Sequence, residues 1–475
     1  MLKLVFKIGM LISIFLALSI SAFANTGSVH IKNATVLTIT QGDLENTDVL
    51  IIDGKITQIG QNLQTPRGVD ILDAEGMYVM PGIIDSHSHL AITRGVNEWM
   101  NPVSAEVTMK DVLNPNDVGI YRALAGGVTS AQIKHGSANV IGGRSATVKF
   151  RFGESAADFI FEGAPQLIKF ALGENPTRVH GQGRGIQPRT RMGVEQVVRE
   201  TFDAALDYRA RRNAYLEAKE LHDRRPRRNP APQPVPKNLR LEVVADILEG
   251  KVLVQSHCYR ADEILMLMRV FNDYGVENYT FHHITEGYKV IPELVANNAA
   301  ASSFMDWWAF KFEAYFATSY SPAMMFQQGV LTSLHSDSPA LIRHMNHEAA
   351  KAVKYGGLTK NEALKLITIN PAIQMGISDR VGSLEVGKDG DISIWSAHPL
   401  SIYAVNQYTF VDGVQRFNIN EDPDDMRLQV DPEFDFTYRG NITGREHDAC
   451  LENLFYLFDS TGQIHSHSHS HSHSH

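Results

Sequence analysis

The chain has 475 residues, enough for one large domain with a smaller one or for two to three ordinary domains. Its 43% hydrophobic and 20% charged residues are typical of a soluble globular protein, and a formal net charge of −9 argues against a nucleic-acid-binding surface, which is usually basic. Two cysteines exclude a disulfide framework as the source of stability.

The first residues have the pattern of a secretory signal peptide. Two lysines flank the start of an apolar run over residues 8–20, and an Ala-Phe-Ala cleavage sequence follows at 22–24. The run is short for a membrane span, which disfavours an uncleaved anchor. We therefore expect residues 1–24 to be removed before Asn25, giving a periplasmic or secreted protein with no stable membrane anchor.

Two β-rich regions lie near opposite ends of the chain. Residues 25–80 contain short runs of alternating apolar and polar residues separated by Asp-Gly and Gly turns, and the same pattern recurs over residues 376–417. We expect the two regions to form one small β-sandwich. An extension with an acidic start follows over residues 418–463, and a His-Ser tail over residues 464–475 is either a purification tag or a natural metal-binding segment.

Between these regions, residues 81–375 alternate strand-like and helix-like segments. Apolar runs such as "KVLVQSHCY" and "GVLTSLHSD" alternate with segments such as "ADEILMLMRVFNDYG". This predicts an α/β fold of parallel βα units; a (β/α)₈ TIM barrel fits the length, with a doubly wound open sheet as the alternative. Residues 191–240 combine a long charged helix with a Pro- and Arg-rich connector, which favours an exposed insertion over a lid or partner surface.

Ligand-type residues stand at the ends of the predicted strands. "PGIIDSHSH" places His87 and His89 one residue apart, so both imidazoles project from the same face of a strand and suit one metal ion. The other strand-end candidates are His257, His282, His283, His335 and Asp337. Because the carboxyl ends of parallel barrel strands converge on one face, we expect these side chains to share a site.

Lys169 lies inside an apolar strand, "APQLIKFALGENP". Burying an ammonium there is costly without a partner. Two explanations stay open. Lys169 forms an ion pair with a carboxylate such as Glu174, or its neutral amine, favoured by burial, reacts with carbon dioxide to give a carbamate that bridges two metal ions.

Taken together, several segments resemble the amidohydrolase superfamily, and within it the imidazolonepropionase- and prolidase-like metal-dependent hydrolases. These segments are "PGIIDSHSH", "IKFALGENP", "VQSHCYRADEI", "FHHITEGYK", "LHSDS" and "NPAIQMGISDRVGSLEVGKDGDISIW". The resemblance extends from about Val29 to about Phe417. It implies a distorted (β/α)₈ barrel with a β-sandwich built from both chain ends, and hydrolysis of a carbon–nitrogen bond in a small-molecule amide, cyclic amide or dipeptide.

The resemblance also implies a set of metal ligands. They are His87, His89, Lys169, His257, His283 and Asp337. Carboxylated Lys169 would bridge two divalent ions, with zinc as the expected metal. His283 is preferred over His282 because the family's ligand directly precedes a segment like "ITEGYK". Asp337 would take a proton from the metal-activated hydroxide and pass it to the leaving nitrogen.

The residues after His257 are candidates for substrate binding. Arg260 either clamps a substrate carboxylate or pairs with Asp262 or Glu263, and the two interpretations are evenly balanced. Tyr259, next to Arg260, is the second candidate for substrate contact. His180, in "RVHGQGRG", is expected in a solvated loop.

Two other functions remain as alternatives. A mononuclear deaminase would keep the paired histidines and Asp337 without needing a carbamate. A non-catalytic metal-binding scaffold is disfavoured because all six expected ligand positions are filled. The sequence specifies neither the substrate nor the metal used in the cell, and it leaves open whether the protein is a homo-oligomer.

Overall fold

The computed structural model describes residues 26–93, 95–421 and 425–428. The predicted signal peptide over residues 1–24, nearly all of the extension over 418–463 and the whole His-Ser tail lie outside the described residues. Within the described ranges, no helix combines the length and the apolar character needed to cross a bilayer.

The strands follow one another from β1 to β17 along the chain. They are β1 Val29–Leu37, β2 Asp43–Ile52, β3 Lys55–Gly60, β4 Asp70–Asp73, β5 Tyr78–Pro81, β6 Ile83–Ser88, β7 Val128–Ile133, β8 Ile141–Arg144, β9 Ala146–Lys149, β10 Gln166–Ala171, β11 Val252–His257, β12 Thr280–His282, β13 Ala300–Ser303, β14 Thr332–Leu334, β15 Ile392–Trp395, β16 Asn406–Val411 and β17 Val414–Asn418.

The helices lie mainly between the strands from β6 to β15. They are α1 Val118–Ala125, α2 Ala156–Phe159, α3 Glu174–Pro176, α4 Arg191–Arg224, α5 Leu239–Leu248, α6 Ala261–Tyr274, α7 Ile291–Ala296, α8 Ser321–Gln327, α9 Met345–Gly356, α10 Lys360–Lys365 and α11 Ile369–Gln374. A π-helical turn spans Thr177–Gln182, and 3₁₀ turns span Met109–Val112, Gly287–Lys289, Phe312–Ala314, Leu341–His344 and Ile419–Glu421.

One eight-stranded sheet is built from both ends of the chain. Its strand order is β17-β16-β15-β5-β1-β2-β3, and β4 pairs in parallel with β1. The two ends meet in the antiparallel β5–β15 pair, in which Ile392 lies opposite Pro81. Closure of this sheet into a sandwich, and the domain bounds 25–80, 81–375 and 376–417, stay predictions.

The remaining strands are mostly parallel and alternate with helices. A six-stranded sheet has the order β14-β13-β12-β11-β10-β8, in which β10 to β14 are parallel, and β6 and β7 are parallel in a three-stranded sheet with β9. The segment after β14 reaches β6, because the Asp337 backbone N–H donates a hydrogen bond of 3.0 Å to the His87 carbonyl. The predicted mixed α/β class is confirmed.

Helix α6 shows how local sequence sets the path between two parallel strands, β11 and β12. Its buried residues Ile264, Leu267, Met268 and Phe271 recur at helical spacing, so one face packs into the core. The helix ends at Gly275, whose φ of 69° is in the left-handed region that favours glycine. The chain then turns directly toward β12, whose end carries two histidines.

Helix α4 is only partly exposed, which corrects the expectation of an exposed insertion. The Thr190 side chain caps its start by accepting a hydrogen bond from the Gly193 N–H. The first half buries Val194, Val198 and Phe202 against the core. Beyond Tyr208, every residue of the helix is at least partly exposed. The predicted long charged helix is confirmed, but its first half belongs to the core.

A buried lysine links the two parts of the fold. Lys149, on β9, places its Nζ 2.6 Å from Asp389 Oδ2, 3.1 Å from Asp391 Oδ1 and 2.5 Å from Asp412 Oδ1. Burial alone would lower the pKa of Lys149, but the three carboxylates outweigh burial and raise it. The aspartates lie in the segment before β15 and in the β16–β17 turn, so this cluster attaches the eight-stranded sheet to the three-stranded sheet that contains β9.

Lys149→Met is expected to lower the free energy of unfolding by about 3–5 kcal/mol, because it leaves the buried Asp391 without its ammonium. Lys55→Met is the matched control, since Lys55 also contacts Asp389 but its side chain is 45% exposed; its loss should stay below about 1 kcal/mol. Urea unfolding of both variants at pH 7 measures the difference, and equal losses would contradict the assigned role of Lys149.

Candidate metal centre

The six predicted ligands converge where the parallel strands end. His87 lies near the end of β6, His257 ends β11, His283 follows β12 and Asp337 follows β14. Each predicted ligand lies near at least one other. The distances are 2.9 Å from Lys169 Nζ to His87 Nε2, 3.3 Å from His89 Nε2 to Asp337 Oδ1, 3.7 Å from His283 Nε2 to Asp337 Oδ2, and 4.8 Å between the His257 and His283 ring centroids.

Asp337 is a buried carboxylate surrounded by imidazoles. Its Oδ1 lies 3.3 Å from His89 Nε2 and 3.7 Å from His87 Nε2, and its Oδ2 lies 3.7 Å from His283 Nε2. Among the described residues, neither oxygen accepts a hydrogen bond of normal geometry. A buried carboxylate faced by three imidazoles but by no hydrogen bond of normal geometry makes a donor set that fits a divalent cation.

The Asp337 carboxyl stays ionised despite its burial. Burial alone would raise its pKa, but His89 and Lys169 outweigh that effect and hold the pKa below its usual value. The carboxylate is therefore available as a proton acceptor at neutral pH.

Two residues of this set adopt left-handed backbone conformations. His283 has a φ of 61° and Asp337 a φ of 46°. Non-glycine residues enter this region at a cost, and such conformations concentrate at functional sites. His283 directly follows β12 and Asp337 lies three residues after the end of β14, so in both cases the left-handed residue lies close to the carboxyl end of a parallel strand.

In each of two predicted ligands, one ring nitrogen contacts another part of the protein. His89 Nδ1 donates to the Lys134 carbonyl over 2.9 Å, and His257 Nδ1 lies 2.9 Å from Ser137 Oγ. Such contacts fix the orientation of an imidazole and direct its Nε2 toward a metal. Burial lowers the pKa values of His257 and His283 well below the usual range, so both rings are neutral at pH 7, as metal ligation requires.

Two groups of three side chains present possible metal-binding atoms within 4.8 Å of one another. One group is His87, His89 and Asp337, which the sequence predicted. The other is His87, His282 and His335. The sequence analysis expected His282 and His335 to share the site but did not count them among the metal ligands, and the structure places both among the clustered imidazoles.

His335 is held in place by its two ring nitrogens. Its Nδ1 lies 2.9 Å from Ser302 Oγ, and its Nε2 lies 2.8 Å from His283 Nδ1. Burial lowers its pKa to about 3, so the ring is neutral. A neutral His335 can orient His283, whose Nε2 faces Asp337.

Lys169 is fully buried on β10 beside Phe170, as the apolar strand predicted. Its Nζ lies 2.9 Å from His87 Nε2. The Glu174 carboxylate, the alternative partner, lies 3.5 Å from the Nζ of another lysine, Lys311. The amine is therefore placed among the predicted ligands.

A second buried lysine, Lys134, was missed in the sequence. Its Nζ contacts Gln255 Oε1 and lies 2.9 Å from His282 Nε2. Burial lowers its pKa well below the usual value, and the nearby Lys169 lowers it further. The segment "VTSAQIKHG" places this lysine directly after β7, so the argument applied to Lys169 could have found it.

Asp85, which was also not identified from the sequence, holds two parts of the site together. Its carboxylate accepts hydrogen bonds from the Ser336 backbone N–H (3.0 Å), the Ser336 hydroxyl and the His87 backbone N–H (3.1 Å). Burial raises its pKa to about 6. Asp85 thus holds the residue before Asp337 against the strand that carries His87.

In the structure Arg260 pairs with Asp262, which is one of its two interpretations. Its Nε lies 3.0 Å from Asp262 Oδ1 and its second guanidinium nitrogen 3.1 Å from Oδ2, a two-pronged ion pair. Substrate contact by Arg260 stays a prediction. The Tyr259 ring is buried and stacks on the His283 ring at 5.4 Å, while Lys311 Nζ lies 4.0 Å from its centroid.

The expectation that His180 occupies a solvated loop is wrong. His180 is fully buried, and its Nε2 lies 3.0 Å from Asn139 Oδ1. The π-helical turn over Thr177–Gln182 directs it inward, and burial, reinforced by Arg184, lowers its pKa to about 4.

Known proteins resemble this chain over most of its length. The model of the amidohydrolase family matches residues 319–422. The crystal structure of an amidohydrolase from Thermotoga maritima superposes with a TM-score of 0.73 and 34% identity, covering 82% of this chain and all of that one. Amidohydrolase tasK of Hapsidospora irregularis is 31% identical over 398 residues, 78% of this chain and 40% of that protein.

A shorter similarity involves a deaminase. The 5'-deoxyadenosine deaminase of Methanosarcina acetivorans is 39% identical over 117 residues, 22% of this chain and 27% of that protein. The chain therefore spans less than half the length of either curated relative.

Zinc added to chelator-treated protein lacking the His-Ser tail is expected to raise the melting temperature by at least about 5 °C, because an ion bound by the Asp337 carboxylate and the surrounding imidazoles stabilises the folded chain. Asp337→Asn should lose most of this increase. Asp306→Asn, whose carboxylate contacts Lys351 at the surface, is the control and should keep it. Scanning calorimetry with and without zinc makes the comparison, and similar increases in both variants would argue against an ion at Asp337.

Proposed function

This chain belongs to the amidohydrolase superfamily, and on that basis we propose that it is a metal-dependent hydrolase of the carbon–nitrogen bond in an amide, cyclic amide or dipeptide. The observation that carries the proposal is the buried Asp337 carboxylate, which faces three imidazoles and accepts no hydrogen bond of normal geometry from the described residues. The full-length match to the Thermotoga maritima amidohydrolase supports it.

The donor set suits two divalent ions. His87, His89 and Asp337 would hold one ion, and His257 and His283 the other. Carboxylated Lys169 would be shared by both, since its amine already lies 2.9 Å from His87 Nε2. Imidazole nitrogens and anionic oxygens favour zinc or a similar metal. When bound, such ions lower the pKa of a water molecule toward neutrality and polarise a substrate carbonyl.

The chain itself supplies the proton transfers. As the water oxygen bonds to the carbonyl carbon, an Asp337 carboxylate oxygen accepts the water proton. The same carboxyl then delivers that proton to the leaving nitrogen as the carbon–nitrogen bond breaks. Its lowered pKa keeps the carboxyl ionised before the first step, and its position between His89 and His283 keeps both oxygens at the reacting centre.

We also infer that the six-stranded and three-stranded sheets together form a distorted (β/α)₈ barrel, with the eight-stranded sheet as its companion β-sandwich. The hydrogen bond from Asp337 N to His87 O, which joins the last parallel strand region to the first, supports this inference. Export to the periplasm or medium is a further part of the proposal, based on residues 1–24. An intact Met1 on the exported protein would contradict it.

A mononuclear deaminase is the second candidate. His87, His89 and Asp337 form a cluster that needs no lysine, and the 5'-deoxyadenosine deaminase relative supports this alternative. One metal ion per chain at full activity, with ammonia released from an aminopurine, would favour the deaminase over the binuclear hydrolase.

Lys169→Ala is expected to lower the metal content of tail-free protein from about two ions per chain toward one, and to lower amide hydrolysis by several orders of magnitude, because it removes an anion shared by both sites. The measurements are elemental analysis and a screen of N-acyl amino acids, Xaa-Pro dipeptides and cyclic ureides. Added acetate or propionate should partly restore activity by filling the vacated position.

Lys134→Ala is the matched control, because Lys134 is equally buried in the same site but contacts Gln255 and His282. Short carboxylic acids should not restore its activity. A Lys169→Ala variant that binds two ions and ignores added acid would exclude the bridging carbamate.

A further inference from the structure

The loop between β7 and β8, residues 134–140, contacts two of the predicted metal ligands. The Lys134 carbonyl accepts a hydrogen bond of 2.9 Å from His89 Nδ1, and Ser137 Oγ lies 2.9 Å from His257 Nδ1. Both contacts leave Nε2 of the ring as the nitrogen that can bind a metal. The orientation of two ligands therefore depends on how firmly this loop is held.

Backbone groups of a second segment, residues 96–100, hold this loop in place. The Gly136 N–H donates a hydrogen bond of 2.7 Å to the Val96 carbonyl, and the Glu98 N–H donates one of 2.8 Å to His135 Nε2. His135 can accept this bond because burial lowers its pKa to about 4, so the ring is neutral at pH 7. The segment that follows β6 therefore fixes the path of the loop that follows β7.

Asn139, in the same loop, extends this attachment through its side-chain amide. Its Nδ2 donates hydrogen bonds to the Glu98 carbonyl (2.5 Å) and to Ser104 Oγ (2.6 Å), and its Oδ1 lies 3.0 Å from His180 Nε2. Asn139 and His180 are both fully buried. Three satisfied contacts at one buried amide specify a single side-chain geometry, which an apolar residue of the same size would not do.

His180 reaches Asn139 from a third segment, the π-helical turn Thr177–Gln182 that follows β10 and α3. Because burial lowers the pKa of His180 to about 4, its neutral ring has one donor and one acceptor nitrogen. Nε2 donates to Asn139 Oδ1, and Nδ1 lies 3.2 Å from Arg184 Nη1, which can only donate. Both ring nitrogens are therefore used within the network.

Arg184 closes the network. Its Nη1 lies 2.9 Å from the Trp99 carbonyl oxygen and 2.7 Å from that of Met100, both in the 96–100 segment. His180 is therefore joined to this segment by two routes, one through Arg184 and one through Asn139. The three segments that follow β6, β7 and β10 are fixed to one another at this histidine.

We propose that His180 and Asn139 act as positioning residues for the second metal ion. They fix the 134–140 loop, and its Ser137 then holds the His257 ring in the orientation that ligation requires. The role is indirect, because the contacts that these two residues make lead to the neighbouring segments and not to a ligand nitrogen. This inference rests on the metal binding in the proposed function but not on the identity of the substrate.

Cobalt(II) titration of chelator-treated protein lacking the His-Ser tail tests this inference. His180→Leu should weaken the binding of one of two ions about tenfold or more, which is the usual effect of losing the contacts that orient a ligand. The visible absorption of the bound cobalt should change as well, because the ligand geometry changes. His180→Gln should bind both ions as the wild type does, since its amide nitrogen can still donate to Asn139.

His30→Leu is the matched control. His30 is an equally buried histidine on β1, in the eight-stranded sheet, with its Nδ1 2.6 Å from Thr65 Oγ1. This variant should have a lower melting temperature but unchanged cobalt affinity and absorption. Arg184→Met, at a partly exposed position, is the second variant and should weaken the same ion even if His180→Leu does not fold.

Unchanged cobalt affinity in His180→Leu or in Arg184→Met would overturn the inference, and so would equal losses in His180→Leu and His30→Leu. A wild-type chain that binds fewer than two ions would also overturn it. If the variants lose cobalt affinity as expected but the wild-type chain hydrolyses no amide, the hydrolase proposal fails and the positioning role stands.

Discussion

One buried carboxylate connects the first parallel strand with the segment after the last. Asp85 accepts two hydrogen bonds from Ser336, 251 residues later in the chain, while Asp337 N donates to the His87 carbonyl. His87 and Asp337 belong to opposite ends of the parallel region, and this junction is what brings their side chains within 3.7 Å. The convergence of the candidate ligands therefore depends on a residue that binds neither metal nor substrate in the proposed mechanism.

The electrostatic balance of the site is set by burial. Lys134 and Lys169 lie among histidines, and the nearby Asp85 and Asp337 carboxylates partly offset the effect of burial on the pKa of Lys134. For His87, desolvation, reinforced by Lys169 and Lys134, holds the pKa well below the usual range. Neutral imidazoles reduce the repulsion among so many basic groups. A carbamate on Lys169 would reduce it further by replacing a cation with an anion.

The sequence was most informative where one residue contradicts its local surroundings. His87 and His89 lie at the end of an apolar run, and Lys169 lies inside another. They could be identified because a strand pattern that is otherwise apolar carries a polar residue at those positions. Asp337 required the resemblance as well. The mixed α/β class followed from the alternation of strand-like and helix-like segments, and the long helix α4 from its charged composition.

The errors and omissions arose from contacts between residues distant in sequence. Asp85 looks like an ordinary strand residue until Ser336 is placed beside it, and His180 looks exposed until Asn139 covers it. His282 and His283 are adjacent in sequence, and a left-handed backbone at His283 decides which way that ring faces. A property of this kind depends on tertiary packing and has no signature in composition or spacing.

The pairing of β5 with β15 has a consequence for how the chain acquires its structure. During synthesis, the exposed edge of β5 has no partner until β15 emerges, after the whole parallel region has been made. Pairings between such distant segments form slowly because loop-closure entropy opposes them. The eight-stranded sheet is therefore expected to be completed last, so a precursor bearing the predicted leader would stay incompletely folded for longer, in the state that a translocation channel accepts.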